Sequence, residues 1–311
     1  MKPILHQTHI DFMKWRKVAM TVSLTVLVLA IASIAIRGLN FGIDFTGGTL
    51  IELGYGQPVK LGGIRETLSD SGFERTTVQH FGTSHDVLVR LAPEAGRNNA
   101  ELSDSVVEVL RVNSPEVEVR RIEFVGPQVG EELREDGGLA MVYALIGILV
   151  YVTMRFEYRF SFGSVIALVH DVIITVGFFA LTGIEFDLPV LAAVLAVIGY
   201  SLNDTIVVYD RIRENFRKMR KADTVGIVNT SINQTLSRTV VTSLTTLLVL
   251  LALFFLGGSV IHSFALALIV GVVVGTYSSI YVASSSILTL GVSKKDLLPI
   301  QRESPEAEDR P

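Results

Sequence analysis

The sequence predicts a polytopic α-helical membrane protein: six transmembrane helices, with a ferredoxin-like α+β domain of order βαββαβ between the first and the second. Three observations lead to this fold class. Six apolar runs are long enough to cross a bilayer core, which takes about 20 residues. The stretch 37–137, after the first run, alternates polar and apolar residues like a soluble domain. Lysine and arginine gather on one side of the predicted bundle, as membrane topology requires.

Charge divides the chain into two parts. Residues 37–137 contain 10 Lys/Arg and 17 Asp/Glu, and the remainder contains 17 and 14, so the net charge of −4 is the sum of −7 and +3. This division separates a water-exposed domain from the membrane part. The chain has no cysteine, which excludes disulfides, thiolate metal sites and cysteine nucleophiles.

The apolar runs give the approximate limits of the six spans: 18–36, 138–154, 160–184, 188–209, 238–257 and 263–290. The first run is longer than the apolar region of a secretory signal, and no small-residue cleavage site follows it. It is therefore predicted to remain as a transmembrane helix.

Lysine and arginine near the span ends predict the orientation of the bundle. Such residues lie before the first span, between the second and third, between the fourth and fifth, and after the sixth; examples are Lys14, Arg16, Arg155, Arg159, Arg211, Arg213, Lys294 and Lys295. The opposite loops, 185–187 and 258–262, contain none. The segment 1–17 and the tail 291–311 are therefore predicted to be cytoplasmic, and residues 37–137 to lie outside.

Strand and helix patterns alternate within the outer domain. Strands are predicted at 49–53, 76–81, 87–91 and 117–124, and helices at 59–70 and 99–111. This order is that of a ferredoxin-like split βαβ unit. After Gly126-Pro127, an acidic amphipathic helix at 128–136 leads into the second span. The domain shows no metal-ligand cluster, nucleophile triad or phosphate loop, which favours binding over catalysis.

Asp204 is the candidate functional residue, because it follows Asn203 inside the fourth apolar run. A carboxylate there costs about 2.5–3.5 kcal/mol on insertion scales. Asp204 precedes Arg211 by seven residues, which places it about 10 Å along the helix from the cationic end. A carboxylate held between apolar surroundings and a nearby cation can bind and lose a proton. The alternative is structural: Asn203 and Asp204 would form a hydrogen bond between helices that sets their packing.

Two further charged positions accompany Asp204. Arg238, at the start of the fifth span, is a candidate counter-ion, although an arginine at a helix end often extends to the interface instead. Asp171 lies nearer the middle of the membrane beside His170, and this pair could relay protons or make a packing contact. Gly271 and Gly275 permit close approach of another helix, either within the bundle or from a partner.

Several motifs resemble the SecD/SecF family of protein-export membrane proteins. The octapeptide Phe41-Gly-Ile-Asp-Phe-Thr-Gly-Gly48 follows the first span and resembles the family signature, with Gly42, Asp44, Gly47 and Gly48 forming a turn that starts a strand. Further matches occur in the same order along the chain, at 124–130, 169–172, 203–215 and 234–239. The resemblance covers about 18–291. SecD members normally carry a much larger outer region, so the chain is more similar to the other branch of the family.

The resemblance implies a role in protein export. It implies one half of an RND-type transporter, in the bacterial cytoplasmic (inner) membrane, that helps Sec-dependent translocation by using the proton motive force. Asp204, Arg238, Asn203 and Asp171 would then couple protons to movement, with protons as the coupling ion and no cofactor or metal. The implied partners are SecD, the SecYEG channel with its small membrane subunits, the translocating polypeptide and membrane lipid, and no nucleic acid.

Other classes of function stay open at this point. Asp171 and Asp204 on neighbouring spans could form an intramembrane aspartyl protease, but no Gly-x-Gly-Asp motif is present. An uncoupled scaffold subunit would use the outer domain only to dock partners. An RND-type efflux half-transporter would need an apolar ligand pocket, for which the small acidic outer domain gives no sign.

Overall fold

The computed structural model describes residues 8–73, 76–93, 99–219 and 221–292. Its main body is a bundle of six helices that are long and apolar enough to cross a membrane. Five are single α-helices, and the sixth is α9, a π-helical turn and α10 in succession. Their bounds are α1 Arg16–Arg37, α5 Pro127–Arg155, α6 Tyr158–Thr182, α7 Leu188–Lys218, α8 Thr224–Leu256, α9 Gly258–Ser278, the π-helical turn Ser279–Ala283 and α10 Ser284–Thr289.

Three helices continue well beyond the apolar runs that predict them. The second spanning helix, α5, begins at Pro127, so the predicted acidic helix and the second span are one element. The fourth, α7, continues to Lys218, and the fifth, α8, begins at Thr224 after the capping residue Asp223. Hydropathy marks only the part of a helix that lies in lipid. The polar ends of α7 and α8 remain helical because Asp223 caps α8 and the Asn215 side chain of α7 donates to Ser231 and Gln234 of α8. The polar start of α5 has Pro127 in its first turn, a position that proline favours.

The sheet domain lies between α1 and α5. A one-turn helix α2 (Ile43–Thr46) precedes it, and its own elements follow the order βαββαβ: β1 Gly48–Gly54, α3 Leu61–Asp70, β2 Thr76–Phe81, β3 Thr83–Leu91, α4 Asn99–Asn113 and β4 Glu118–Val125. The strands form one sheet in the order β2-β3-β1-β4, and every neighbouring pair is antiparallel. This is the predicted ferredoxin-like fold.

Side-chain alternation builds the core of the sheet domain on one face of the sheet. Ile51 and Leu53 of β1 and Val87 and Val89 of β3 are fully buried there. The two helices cover this face with buried aliphatic residues: Ile64, Leu68, Leu102, Val106 and Leu110. The other face of the sheet is directed toward one end of the helix bundle. We call this end the domain end, and the opposite one the far end.

The helix α7 is central in the bundle and packs against α6, α8 and α9. Near the far end Tyr209 of α7 is completely buried, and its ring lies edge-on to Phe160 at 5.2 Å between centroids. The Tyr209 hydroxyl donates a hydrogen bond of 3.0 Å to the Ala283 carbonyl, in the π-helical turn. This bond ties the core of α7 to the irregular turn of the sixth span.

A short segment before α1 closes the far end of the bundle. The Asn233 side chain on α8 forms two hydrogen bonds with the Ile10 backbone: it accepts from the N–H at 2.9 Å and donates to the carbonyl at 2.8 Å. Phe12 and Met13 of the same segment are buried in the bundle core. We call residues 8–15 the N-terminal strap.

Candidate functional site

Asp204 lies on α7 within the bundle, with only 3% of its surface exposed. Its Oδ2 atom is enclosed and has no hydrogen-bond partner among the residues that the structure describes. The hydroxyl of the adjacent Thr205 is buried without a partner in the same way. Because a buried polar atom without a partner carries its full desolvation cost, an ionised carboxylate is unfavourable here. The site can bind a proton or a cation at Oδ2.

Arg238 is carried by α8, which packs directly against α7. It is close enough to act electrostatically on the Asp204 carboxylate. Within the described part of the chain, however, no ion pair of 4 Å or less joins the two groups, and the Arg238 side chain is exposed. The structure thus brings the two predicted partners onto neighbouring helices and leaves them apart.

Asn203 is directed away from Asp204, onto the exposed surface of α7. The structure gives neither residue a hydrogen bond to another helix within the described ranges. The alternative in which both side chains hold two helices together therefore has no support inside this chain. Asn203 instead places an amide on the outer surface of an apolar span.

Asp171 is the best-connected carboxylate of the bundle interior. Its Oδ1 atom lies 2.8 Å from Nδ1 of His170, and its Oδ2 accepts a hydrogen bond of 2.5 Å from the Ser201 hydroxyl of α7. Asp171, His170 and Ser201 are all buried. The two aspartates do not face each other as a catalytic pair, because both oxygens of Asp171 already have partners. This arrangement disfavours an aspartyl protease.

Ser201 is a site residue that the sequence reasoning missed. Its spacing was a usable signal, because residues three apart lie on the same face of a helix and Ser201 precedes Asp204 by three.

The two glycines of α9, Gly271 and Gly275, lie against α7. A Cβ at Gly271 would lie 2.1 Å from Val197, and one at Gly275 would lie 3.0 Å from Ser201. These glycines serve packing within the bundle and let α9 approach the polar part of α7.

The signature turn joins the sheet domain to the start of α7. Its Gly42 N–H donates to the Phe186 carbonyl at 2.9 Å, and the Phe186 N–H donates to Asn40 at 2.8 Å. The Asp44 carboxylate accepts a hydrogen bond of 2.9 Å from the backbone N–H of Leu188, the first residue of α7. The motif therefore caps the helix that carries Asp204.

The glycines of the turn are required by backbone shape and by close contacts. Gly47 has φ +68°, and a Cβ there would lie 2.7 Å from Pro127 at the start of α5. Gly48 has φ +128°, and a Cβ there would lie 2.5 Å from the Leu91 carbonyl. Other residues rarely adopt such φ values. The motif thus fits between α5 and the sheet only with glycine at both positions.

Side chains on the open face of the sheet complete this joint. Arg90 of β3 forms an ion pair with Glu185, which lies in the loop before α7, and donates a hydrogen bond of 2.8 Å to the Phe41 carbonyl. Gln79 of β2 donates to the other Glu185 oxygen at 3.1 Å. Both members of the ion pair are 17% exposed, so water screens them only partly.

Asp187 is the N-cap of α7 and accepts a hydrogen bond of 2.8 Å from the Val190 N–H. The pKa of the Asp187 carboxyl is raised from 3.8 to about 6, chiefly by burial; the nearby carboxylates of Glu185 and Asp44 add to this rise, and the hydrogen bond from Val190 opposes it. Asp187 therefore titrates just below neutral pH, at the junction of the two parts of the protein.

A cavity of about 980 Å³ lies between the open face of the sheet and the domain end of the bundle. Carboxylates are prominent in its lining, together with aromatic and histidine side chains near the α8–α9 connection; examples are Asp44, Asp86, Glu123, Asp187, Phe254 and His262. The cavity is distant from Asp204. Among the described residues, no group of three or more His, Cys, Asp or Glu is arranged to hold a metal ion.

Six spanning helices, an inserted ferredoxin-like domain and buried carboxylates in the bundle define a polytopic membrane protein with an ionisable interior. The family described as "Protein export membrane protein SecD/SecF, C-terminal" matches residues 105–293, and the "SecD/SecF GG Motif" matches residues 32–59. The chain belongs to the SecF branch of the SecD/SecF family.

Relatives and solved structures agree with this assignment. The chain is 53% identical to "Protein translocase subunit SecF" of Vibrio alginolyticus, over 96% of this chain and 95% of the relative. It is 50% identical to the protein of that name from Pseudomonas aeruginosa, over 97% and 98%. Its fold is similar to the crystal structure of SecDF, a translocon-associated membrane protein from Thermus thermophilus, with a TM-score of 0.82 and 42% identity. The match covers 91% of this chain but only 38% of the SecDF chain.

Proposed function

We propose that this protein is an accessory subunit of the Sec translocase that acts with SecD and uses the proton motive force to promote export of unfolded polypeptides. The observation that carries the proposal is the buried Oδ2 atom of Asp204, which has no partner in the described part of the chain. Proton binding would neutralise this carboxylate, and release would restore a charge that Arg238 can attract. Asn203 and Asp171 complete the proposed coupling group.

The energy available from the membrane potential is adequate for such a switch. One charge that crosses the full potential yields about 2.3 kcal/mol per 100 mV. This amount is enough to reverse the balance between two conformations of similar stability. The two conformations would differ in the distance between Asp204 and Arg238.

The helix α7 provides the proposed route from the proton site to the sheet domain. Asp204 lies seventeen residues after Asp187, which corresponds to about 25 Å along the helix. The signature turn and the ion pair of Arg90 with Glu185 attach the sheet domain to the beginning of this helix. A shift of α7 would therefore move the sheet domain and change the cavity beneath it, where a translocating polypeptide could be retained.

The surface of α7 supports a partner chain within the membrane. Small or polar residues at helical spacing form an exposed stripe on this helix: Ala192, Ala196, Gly199 and Asn203. Small residues allow another helix to approach closely, and an amide on a lipid-facing surface is unfavourable. We therefore assign this stripe, together with the exposed Arg238, to the contact with SecD, and the complex to the SecYEG channel and its small membrane subunits.

The distribution of Lys and Arg supports an orientation with both termini cytoplasmic, in the bacterial inner membrane. The far end of the bundle would face the cytoplasm and the sheet domain the periplasm. In this orientation Asp204 lies in the cytoplasmic half of its span. A proton from the periplasm would have to pass most of the membrane before it reaches Asp204.

The test is proton-gradient-dependent export in membranes that carry Asp204→Asn. Asparagine keeps the size of the side chain but cannot ionise, so the gradient-dependent part of export should be lost while assembly with SecD is retained. The matched control is Asp210→Asn on the same helix, because Asp210 is an exposed residue paired with Arg155. Normal gradient-dependent export by Asp204→Asn would disprove the coupling and favour the scaffold alternative.

A further inference from the structure

His170 on α6 has a buried ring nitrogen that is separate from its contact with Asp171. Its Nδ1 atom contacts Asp171, but its Nε2 atom is enclosed and has no hydrogen-bond partner among the described residues. Only 6% of the residue is exposed. A neutral imidazole that donates from Nδ1 has an unshared electron pair on Nε2, so this atom can accept a proton.

We propose that His170 Nε2 is the proton-accepting atom of a second site, formed by His170, Asp171 and Ser201, that exchanges protons with Asp204. The inference rests on the proposed coupling function and extends it to a named atom. In the empty state the Asp171 carboxylate carries one negative charge and receives hydrogen bonds from His170 and Ser201. Binding of one proton at Nε2 makes the His170–Asp171 pair neutral overall, whether the Nδ1 proton stays on His170 or moves to Asp171.

Few charged groups surround the pair. The helices α1, α5 and α9 and the π-helical turn, which surround α6, carry no acidic, basic or histidine side chain at positions 18–36, 137–154 or 263–289. Tyr277 and Tyr281 are the titratable residues of the last range. On α7, the Ser201 hydroxyl contacts the pair, and Asp204 lies about one turn after Ser201. The next charged side chain is Arg238, on α8. One proton at Nε2 would neutralise the charge of the His170–Asp171 pair.

Geometry connects the second site to Asp204 through α7. Ser201 contacts Asp171 and precedes Asp204 by three residues, so both lie on one face of α7, about 4.5 Å apart along its axis. Ser201 lies on the side nearer the sheet domain. A proton that enters from that side would therefore reach the His170–Asp171 pair before it reaches Asp204.

The first experiment measures gradient-dependent export in membranes that carry His170→Asn, as a function of pH. The asparagine amide can occupy the position of Nδ1–H and donate to Asp171, but it has no equivalent of Nε2. We expect the variant to assemble with SecD and to lose the gradient-dependent part of export and its pH dependence. The control is Ser164→Ala, because the Ser164 hydroxyl is also buried on α6 but donates to the Phe160 carbonyl of its own helix.

The second experiment observes the atom itself. The full chain, labelled with ¹⁵N-histidine in lipid bilayers, should show an unprotonated Nε2 resonance that becomes protonated as the pH falls and that is absent from His170→Asn. A His170 ring that keeps one protonation state from mildly acidic to mildly alkaline pH would overturn the proposal.

The outcomes separate the two proposals. If Asp204→Asn abolishes gradient-dependent export and His170→Asn leaves both the rate and the pH profile unchanged, the second site is disproved and the coupling function stands. If Asp204→Asn itself exports normally, the coupling function is disproved, and the role of His170 is disproved with it.

Discussion

Replacement of Asp187 by asparagine should stabilise the protein at neutral pH. Asparagine is as good an N-cap as aspartate, so the hydrogen bond from the Val190 N–H can be retained. In the native protein, ionising this carboxyl is unfavourable because it is buried near two other carboxylates. The asparagine variant avoids this cost. The expected result is a higher free energy of unfolding above about pH 6.

The magnitude follows from the pKa of Asp187. A rise from 3.8 to about 6 corresponds, at 1.36 kcal/mol per unit, to about 3 kcal/mol. The pKa of about 6 already includes the opposing effect of the hydrogen bond from the Val190 N–H in the first turn of the helix. The gain above the folded-state pKa should therefore be at most about 3 kcal/mol.

The sign of the pH dependence is fixed by the same values. Between 3.8 and about 6 the folded protein binds a proton at Asp187 that the unfolded chain has released. The free energy of unfolding of the native protein therefore falls as the pH rises through this range, and it stays lower above it. Asp187→Asn lacks this contribution, so its advantage should appear as the pH rises and vanish toward the lower limit.

The assay is denaturant or thermal unfolding of the purified protein in detergent over this pH range. Asp223→Asn is the matched control, because Asp223 caps α8 through Gly226 in the same way but is exposed. It should change stability little. A difference between Asp187→Asn and the native protein that is constant with pH, or a less stable variant at neutral pH, would refute the reasoning.

Two further predictions concern packing and the joint. Gly271→Ala should destabilise the bundle by about 1–3 kcal/mol, because the new methyl group would overlap Val197; Gly138→Ala, where no atom lies within 4 Å of the new Cβ, should not, and unfolding in detergent compares them. Arg90→Met should make the segment between α1 and β1 more sensitive to protease, because Glu185 loses its cationic partner. If the variant and the native protein are cleaved at the same rate, this ion pair does not attach the sheet domain to the bundle.

The overall fold was largely predictable from the sequence because its signals are local. Six apolar runs marked the spans, and alternation such as Ile51 and Leu53 in β1 marked the buried face of the sheet. The helices α7 and α8 continue beyond the predicted apolar runs, since their polar ends are stabilised by capping and by mutual packing, which hydropathy does not measure. The strand β3 also begins earlier, at Thr83, because Gly82 with φ +77° makes a tight hairpin.

The candidate site was predictable only in part. A charge in an apolar run identified Asp204 and Asp171 at once. The contact of Ser201 with Asp171, and the exposure of Asn203, depend on how α7 is rotated against α6, and a single span contains no information about that rotation. The link from Arg90 to Glu185 joins residues far apart in the chain, and many other pairings were equally compatible with the sequence.

The N-terminal strap has a consequence for biosynthesis. Its backbone at Ile10 is bonded to Asn233, 223 residues later in the chain. When the ribosome has made only the first helix, the strap has no partner, and it can take its final place only after α8 has been synthesised and inserted. Residues 8–15 are therefore synthesised among the first of the chain but are among the last to reach their final contacts.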